Sequence, residues 1–259
     1  MPAAARVTTE RRGHLAILTL ANPDKRNALN PDLLVAMARE LDELAGQARV
    51  IVVRGEGEKV FSSGYEIGAI RGGAGEEASR HPLAAAFDAI ERFPFPVIAM
   101  VFGGAFGAAC ELVATCDLRF AATDARFAIP AGRLGVVYAA EGVARLAASA
   151  SRGLVSELLY TARPIAARRA VELGLVHGVH EPRDLEAAVL ELAAEIAELA
   201  PRTLTATKQM LATIARRARL DDAELAQFNQ LRDQALSSAD FQEGQAAFAA
   251  KRRPRFTGG

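Results

Sequence analysis

One stretch of the sequence combines an apolar run, a glycine cluster and a glutamate in an order that has chemical consequences. Residues 97–102 form a continuous apolar run typical of a buried strand, and a pair of glycines and then Gly107 interrupt it. A helical pattern follows at residues 108–115, with Glu111 three positions after Ala108 and therefore on the same helix face. The first turn of a helix has N–H groups without partners inside the helix, and small residues let a ligand approach them closely. The pattern predicts a backbone donor for an oxyanion beside a carboxylate that can move a proton.

The same residues have a simpler interpretation. A glycine pair beside an apolar run is usually only a turn, and a glutamate in the first turn of a helix usually complements the helix dipole. Spacing alone does not choose between the two interpretations, because short motifs match many unrelated chains.

The elements around this stretch indicate an α/β fold. Alternation at residues 14–20 and an apolar run at residues 50–53 predict two further strands. Asn30 and Pro31 predict the start of an amphipathic helix that extends to residue 45. Ser62 to Glu66 read as a second short turn, and the glycine-rich residues 72–80 are expected to form a mobile lid.

The second half of the chain is predicted to be mostly helical. Helical patterns cover residues 82–93, 141–150, 153–161, 166–173, 182–199, 221–236 and 239–251, another helix opens at Pro201, and residues 175–179 favour one more strand. Strands early and helices late predict an α/β core over residues 1–196 and a C-terminal helical region over residues 197–259.

Composition excludes several classes of function. The 259 residues carry 31 basic and 31 acidic side chains, so no long-range field attracts nucleic acid or an anionic membrane. The most nearly membrane-like stretch, residues 93–110, contains two prolines and several glycines, which argues against a membrane span. Cys110 and Cys116 lie six positions apart in one predicted helix, a poor geometry for a disulfide. We therefore expect buried free thiols in a cytoplasmic protein.

Four segments together resemble the enoyl-CoA hydratase/isomerase (crotonase) superfamily. They are residues 61–67 (FSSGYEI), 103–117, 127–135 and 161–176, and they occur in the family's order over nearly the whole chain. The resemblance implies a spiral of ββα units, a C-terminal region that forms a homotrimer or a dimer of trimers, and acyl-CoA thioester chemistry through an enolate. It implies no metal and no cofactor, since coenzyme A enters with the substrate.

The resemblance also implies a set of site residues. The oxyanion hole would consist of the N–H groups of Tyr65 and Ala108, where the family usually has glycine at the second position. Glu111 would be the acid–base residue. The residues implied in binding coenzyme A are Lys25, Arg26, Ala28, Leu29, Phe248 and Lys251, although a solvated loop and a basic tail would explain the charged ones equally well.

The sequence departs from the family's hydratases at one position. They use a second glutamate where this chain has Ala131, and Glu141 farther along is expected to cap a helix rather than to replace it. Methylmalonyl-CoA decarboxylases have a similar pattern, with the first glutamate, no second one, and a tyrosine matching Tyr138. Their turn has a histidine where Tyr65 stands here.

Three functional hypotheses follow. The first is an enoyl-CoA hydratase/isomerase-family lyase with Glu111 as its single acid–base residue and Tyr138 at the site. The alternative is decarboxylation of the methylmalonyl-CoA type, which needs an oxyanion hole but no pair of residues that activates water. The third is a pseudoenzyme that binds CoA esters. An RNA-binding function is disfavoured because residues 31–45 carry four acidic side chains and a single arginine.

Overall fold

A computed structural model of the chain describes residues 4–66, 82–216 and 221–257. The predicted lid at residues 72–80 lies outside the described residues. The strands are β1 (Arg6–Arg12), β2 (Leu15–Ala21), β3 (Val50–Gly55), β4 (Val97–Val101), β5 (Gly104–Phe106), β6 (Leu118–Ala122), β7 (Arg126–Ala128), β8 (Ile165–Ala166) and β9 (Gly178–His180). The helices are α1 (Pro31–Leu44), α2 (Pro82–Arg92), α3 (Ala108–Thr115), α4 (Ala140–Ser149), α5 (Arg152–Thr161), α6 (Ala167–Glu172), α7 (Pro182–Glu198), α8 (Pro201–Arg216), α9 (Asp222–Leu236) and α10 (Ala239–Ala249).

Two sheets organise these elements. The larger has the order β1-β2-β3-β4-β6-β9, in which β1 is antiparallel to β2 and the other neighbours are parallel. The smaller has the order β5-β7-β8. This mixed arrangement confirms the predicted α/β class.

Apolar residues on both faces of the larger sheet hold the layers together. All five residues of β4 are buried, because one face packs against α1, α2 and α3 and the other against α7. Helix α1 begins as predicted, with the Asn30 side chain accepting a hydrogen bond from the Leu33 N–H at 2.9 Å. Its buried side chains are Leu33, Leu34, Met37, Leu41 and Leu44.

Several strands were missed by sequence pattern. β1 is an edge strand with mostly exposed polar side chains, so it lacks the apolar alternation that identifies a strand. β5 and β7 have three residues each, too short for a period to be visible. The strand expected at residues 175–179 is β9, displaced toward its C-terminal end because Leu175 and Val176 are buried in the preceding turn.

Both cysteines are buried free thiols, as predicted. Desolvation by burial raises the pKa of each of them to about 12, which keeps the thiols neutral. No helix in the described ranges is long and apolar enough to cross a membrane.

Lys208 fastens α8 to the core. Its Nζ donates to the carbonyl oxygens of Ile90 at 3.1 Å and Phe95 at 2.9 Å, and to Asp117 Oδ2 at 2.7 Å. Asp117 Oδ2 also accepts from the Val97 N–H at 2.8 Å, at the start of β4. This buried ammonium therefore joins α8 to the end of α2 and the start of the central strand.

Replacing Lys208 with methionine should destabilise the protein by about 1–3 kcal/mol, since buried oxygen acceptors would lose their donor while the apolar stem is retained. Gln209→Met, at the neighbouring exposed position, is the matched control and should change stability by less than about 0.5 kcal/mol. Urea unfolding measures both, and equal stability of the two variants would contradict this account of Lys208.

Candidate active site

A cavity of about 1860 Å³ brings together residues from distant parts of the chain. Tyr65, Ala108, Glu111 and Tyr138 all line it. The four were selected from three separate sequence segments, so their convergence is a product of the fold.

Two turns lie side by side at this cavity. Ser62 and Ala105 form a parallel bridge, in which the Phe106 N–H donates to Ser62 O at 3.1 Å. Gly64 has φ +94°, and a Cβ added there would stand 2.5 Å from Phe106 O and 3.6 Å from Gly107 Cα. Only glycine permits this close approach. The peptides that follow Gly64 and Gly107, which carry the Tyr65 and Ala108 amides, therefore belong to adjoining turns.

The direction of the Tyr65 amide is set by its neighbours. The Leu29 N–H donates to Gly64 O, and the Glu66 N–H donates to Leu29 O, both at 2.8 Å. Backbone groups alternate in direction along an extended chain, so the Tyr65 N–H points away from Leu29. Ala108 is the first residue of α3, where an N–H has no acceptor within the helix. The geometry is consistent with two donors for one oxyanion.

Glu111 is held at both carboxylate oxygens. Its side chain, on the first turn of α3, is 9% exposed. Tyr138 donates its hydroxyl to Oε2 at 3.0 Å, and Arg145 Nη1 donates to Oε1 at 3.0 Å. The Tyr138 hydroxyl also lies 3.4 Å from Gly107 O, at the turn that precedes α3. The carboxylate is therefore fixed between α4 and the loop that carries Tyr138.

Burial dominates the electrostatics of this pair. Desolvation raises the pKa of Glu111 from its ordinary 4.5, and the charge of Arg145 and the hydrogen bond from Tyr138 oppose that effect. Burial, followed by the negative charge of Glu111, raises the pKa of Tyr138 well above the ordinary 10.0. Tyr138 therefore remains a neutral phenol across the physiological range.

Sequence reasoning missed Arg145. It lies on α4, 34 positions from Glu111, in no motif that the sequence displayed. Only the packing of α4 against α3 brings its guanidinium to the carboxylate.

The predicted coenzyme A contacts are placed unequally. Arg26 and Phe248 line the cavity, and the other four residues lie outside its wall. Lys25 forms an ion pair with Glu66, and the backbone groups of Ala28 and Leu29 bond within the protein. Lys251 is outside the wall, whereas the neighbouring Arg252 and Arg253 line it.

Ala131 and Glu141 both line the cavity. Ala131 opens a short 3-10 turn (Ala131–Arg133), so no carboxylate stands at this position. Glu141 is in the first turn of α4, where its charge favours the helix dipole. Among the described residues, no three His, Cys, Asp or Glu side chains are grouped to hold a metal ion.

Gly142 gives Glu111 and Tyr138 the room to meet. A Cβ at this position would stand 2.6 Å from Glu111 Oε2 and 2.7 Å from Tyr138 Cε1. Gly142→Ala should therefore destabilise the protein by about 1–3 kcal/mol through overpacking. Gly153→Ala in α5 is the matched control, because the nearest atom to its Cβ would be 3.9 Å away. The control should gain up to about 1 kcal/mol of helix propensity, and denaturant unfolding that ranks the two variants in the reverse order would contradict the geometry.

The raised pKa of Glu111 predicts a pH dependence of stability. The folded protein retains a proton on this carboxyl that the unfolded chain releases near pH 4.5, so stability falls as pH rises from there through the folded pKa. Glu111→Gln lacks this loss, and the difference in unfolding free energy should move in its favour over that window. Lost contacts add a constant offset, so the slope is the readout. Parallel pH profiles for the two proteins would show that Glu111 binds no extra proton when folded.

Comparisons with known proteins agree on one family. The enoyl-CoA hydratase/isomerase family profile matches residues 10–259. Methylmalonyl-CoA decarboxylase of Escherichia coli (strain K12) is 33% identical over 94% of this chain and 95% of its own length. The 2,3-dehydroadipyl-CoA hydratase of the same organism is 34% identical over 96% and 97%.

Solved structures give the same assignment. A crystal structure of methylmalonyl-CoA decarboxylase complexed with 2S-carboxypropyl CoA has a TM-score of 0.93 and 31% identity, covering 99% of this chain and 100% of that one. The four segments that suggested the family are thus supported over the whole length of the chain. The protein belongs to the enoyl-CoA hydratase/isomerase family of acyl-CoA enzymes.

Proposed function

We propose that this enzyme decarboxylates a 2-carboxyacyl-CoA thioester. The observation that carries the proposal is the engagement of both Glu111 oxygens, one by Arg145 and one by Tyr138, opposite an alanine at position 131. Addition of water to an enoyl-CoA needs a water molecule oriented by carboxylates. A single carboxylate held from two sides orients water poorly, and lost orientation costs orders of magnitude in rate.

Decarboxylation makes smaller demands on the side chains. The Tyr65 and Ala108 N–H groups would hold the thioester oxygen. As the bond from C2 to the carboxylate breaks, its electron pair moves into the thioester and the oxygen gains the enolate charge. Donors fixed at that oxygen stabilise this state more than the substrate. Carbon dioxide leaves, and the enolate carbon then takes up one proton.

We assign the final proton to the Tyr138 hydroxyl. It lines the cavity and remains protonated because of its raised pKa. Glu111 accepts the hydrogen bond of this hydroxyl and so fixes its position at the cavity wall. In this mechanism Glu111 orients Tyr138, in contrast to the acid–base role predicted from sequence.

Hydration remains the second candidate, because Glu141 lines the same cavity and could supply a second carboxylate. The hydratase relatives do not decide the matter, since their identity to this chain equals that of the decarboxylase. The same substrate screen therefore serves both candidates.

The binding of coenzyme A is also a proposal. Of the residues implied by the family resemblance, Arg26 and Phe248 have the position to contact it. We propose as well that the protein forms a homotrimer or a dimer of trimers, because α8 exposes apolar side chains that a second copy would cover. These are Met210, Leu211 and Ile214, at 57%, 62% and 64% exposure.

Incubation with methylmalonyl-CoA in deuterated water should yield carbon dioxide and propionyl-CoA with one deuteron at C2, detected by mass spectrometry. Tyr138→Phe should lower kcat by about 10²–10⁴-fold, the range typical of a lost general acid. Tyr65→Phe is the matched control, because it removes a hydroxyl but keeps the backbone N–H, and it should retain most of the activity.

Faster formation of a 3-hydroxyacyl-CoA from an enoyl-CoA would replace this proposal with hydration. Binding of CoA esters without turnover of either substrate would identify a pseudoenzyme.

A further inference from the structure

Arg145 joins three carboxylates that come from two helices. Nη1 donates to Glu111 Oε1 at 3.0 Å, Nε to Glu91 Oε1 at 3.1 Å, and Nη2 to Asp88 Oδ1 at 2.9 Å. The guanidinium also lies 5.7 Å from the centroid of the Phe87 ring. Because its planar fork is engaged on three sides, the side chain has one fixed orientation.

The charges at this junction do not balance. One guanidinium faces Asp88 and Glu91 on α2 and Glu111 on α3, and Glu141 on α4 adds its negative charge to the surroundings of Glu111. Exposure of the carboxylate side chains rises outward, from 9% at Glu111 to 19% at Glu91 and 45% at Asp88. The innermost carboxylate therefore shares its counter-charge with two carboxylates that are nearer to solvent.

We propose that Arg145 is a positioning residue: it holds Glu111 ionised as the acceptor for the Tyr138 hydroxyl, while Asp88 and Glu91 limit the positive charge that it delivers. The kinetic consequence of this inference rests on the proposed decarboxylation, but the electrostatic consequence does not. Arg145 acts through Glu111 and Tyr138, and α2 thereby influences the site from the side opposite the oxyanion turns.

The proposal predicts shifts of opposite sign. Five groups determine the ionisation of Glu111: Arg145, Tyr138, Glu141, Glu91 and Asp88. Removing the charge of Arg145 leaves the buried carboxylate without its cation, so the pKa of Glu111 must rise. Removing the charge of Glu91 relieves repulsion and frees Arg145, so the pKa must fall. A purely structural junction would give no such reversal.

A carboxyl-labelled glutamate NMR titration measures this without substrate. The Glu111 resonance is assigned by its loss in Glu111→Gln. The variants are Arg145→Gln, Glu91→Gln and Asp88→Asn. The matched control is Arg169→Gln, which removes an arginine that pairs with Glu157 and Glu172 on the surface.

The titration of Glu111 should move to higher pH in Arg145→Gln and to lower pH in Glu91→Gln, with a smaller downward shift in Asp88→Asn and none in the control. A Glu111 titration unmoved by Arg145→Gln, or moved upward by Glu91→Gln, overturns the proposal. Thermal unfolding identifies a variant that does not fold. If Arg145→Gln is such a variant, the direction found for Glu91→Gln decides alone.

The kinetic arm uses the same variants. Arg145→Gln should lower kcat/KM for methylmalonyl-CoA by about 100-fold, the cost typical of a displaced reacting group. Arg145→Lys should restore part of the Glu111 titration but little of the rate, because an ammonium supplies charge without the planar fork. If no protein turns over this substrate, the proposed function fails, and the NMR shifts still test Arg145.

Discussion

The structure depends on keeping a carboxylate charged where water has been removed. Glu111 lies on the first turn of a helix whose residues from Ala108 to Ala114 are buried, so its charge has little solvent to stabilise it. Burying an unpaired carboxylate would cost several kcal/mol, and the group would take up a proton instead. Arg145 and Tyr138 prevent this from opposite sides, and each of them is positioned by other parts of the fold. The neighbouring helix α4 supplies Arg145, and Gly142 on the same helix leaves the space in which Tyr138 reaches the carboxylate.

The oxyanion turns depend on a different constraint, the close approach of two backbone segments. β5 is only three residues long, yet it pairs with β7 on one side and bridges Ser62 on the other. This short strand fixes the turn at Gly64 against the turn at Gly107. The separation of the two amides is thus set by backbone hydrogen bonds, which are stiffer than any contact between side chains. A site built on such a frame tolerates exchange of the nearby side chains, and tyrosine can stand at position 65 where a related decarboxylase has histidine.

Local signals in the sequence were sufficient for the elements that carry strong periodicity. The start of α1 at Pro31, the whole of α3 and the buried run of β4 follow from capping, glycine placement and apolar runs. β1 was missed because an exposed edge strand has no apolar face, and β5 because three residues show no period. Among the candidate site residues, Glu111 was visible because its helix start is a local pattern. Arg145 was not, since nothing in the residues near it indicates which carboxylates its helix will meet.

Identity over the whole chain does not assign the reaction, because relatives named as a decarboxylase and as a hydratase differ by one percentage point from one another in their identity to this protein. The choice lies in how many carboxylates remain available at the cavity. A hydratase must leave its glutamates open to water, and here the first is engaged at both oxygens while the second is an alanine. Decarboxylation needs neither oxygen of Glu111 for the bond that breaks, since the substrate provides its own leaving group and the enolate charge goes to backbone amides. A carboxylate whose hydrogen bonds serve to hold a phenol in place is of little use to the first reaction and compatible with the second, and this difference leads us to prefer decarboxylation.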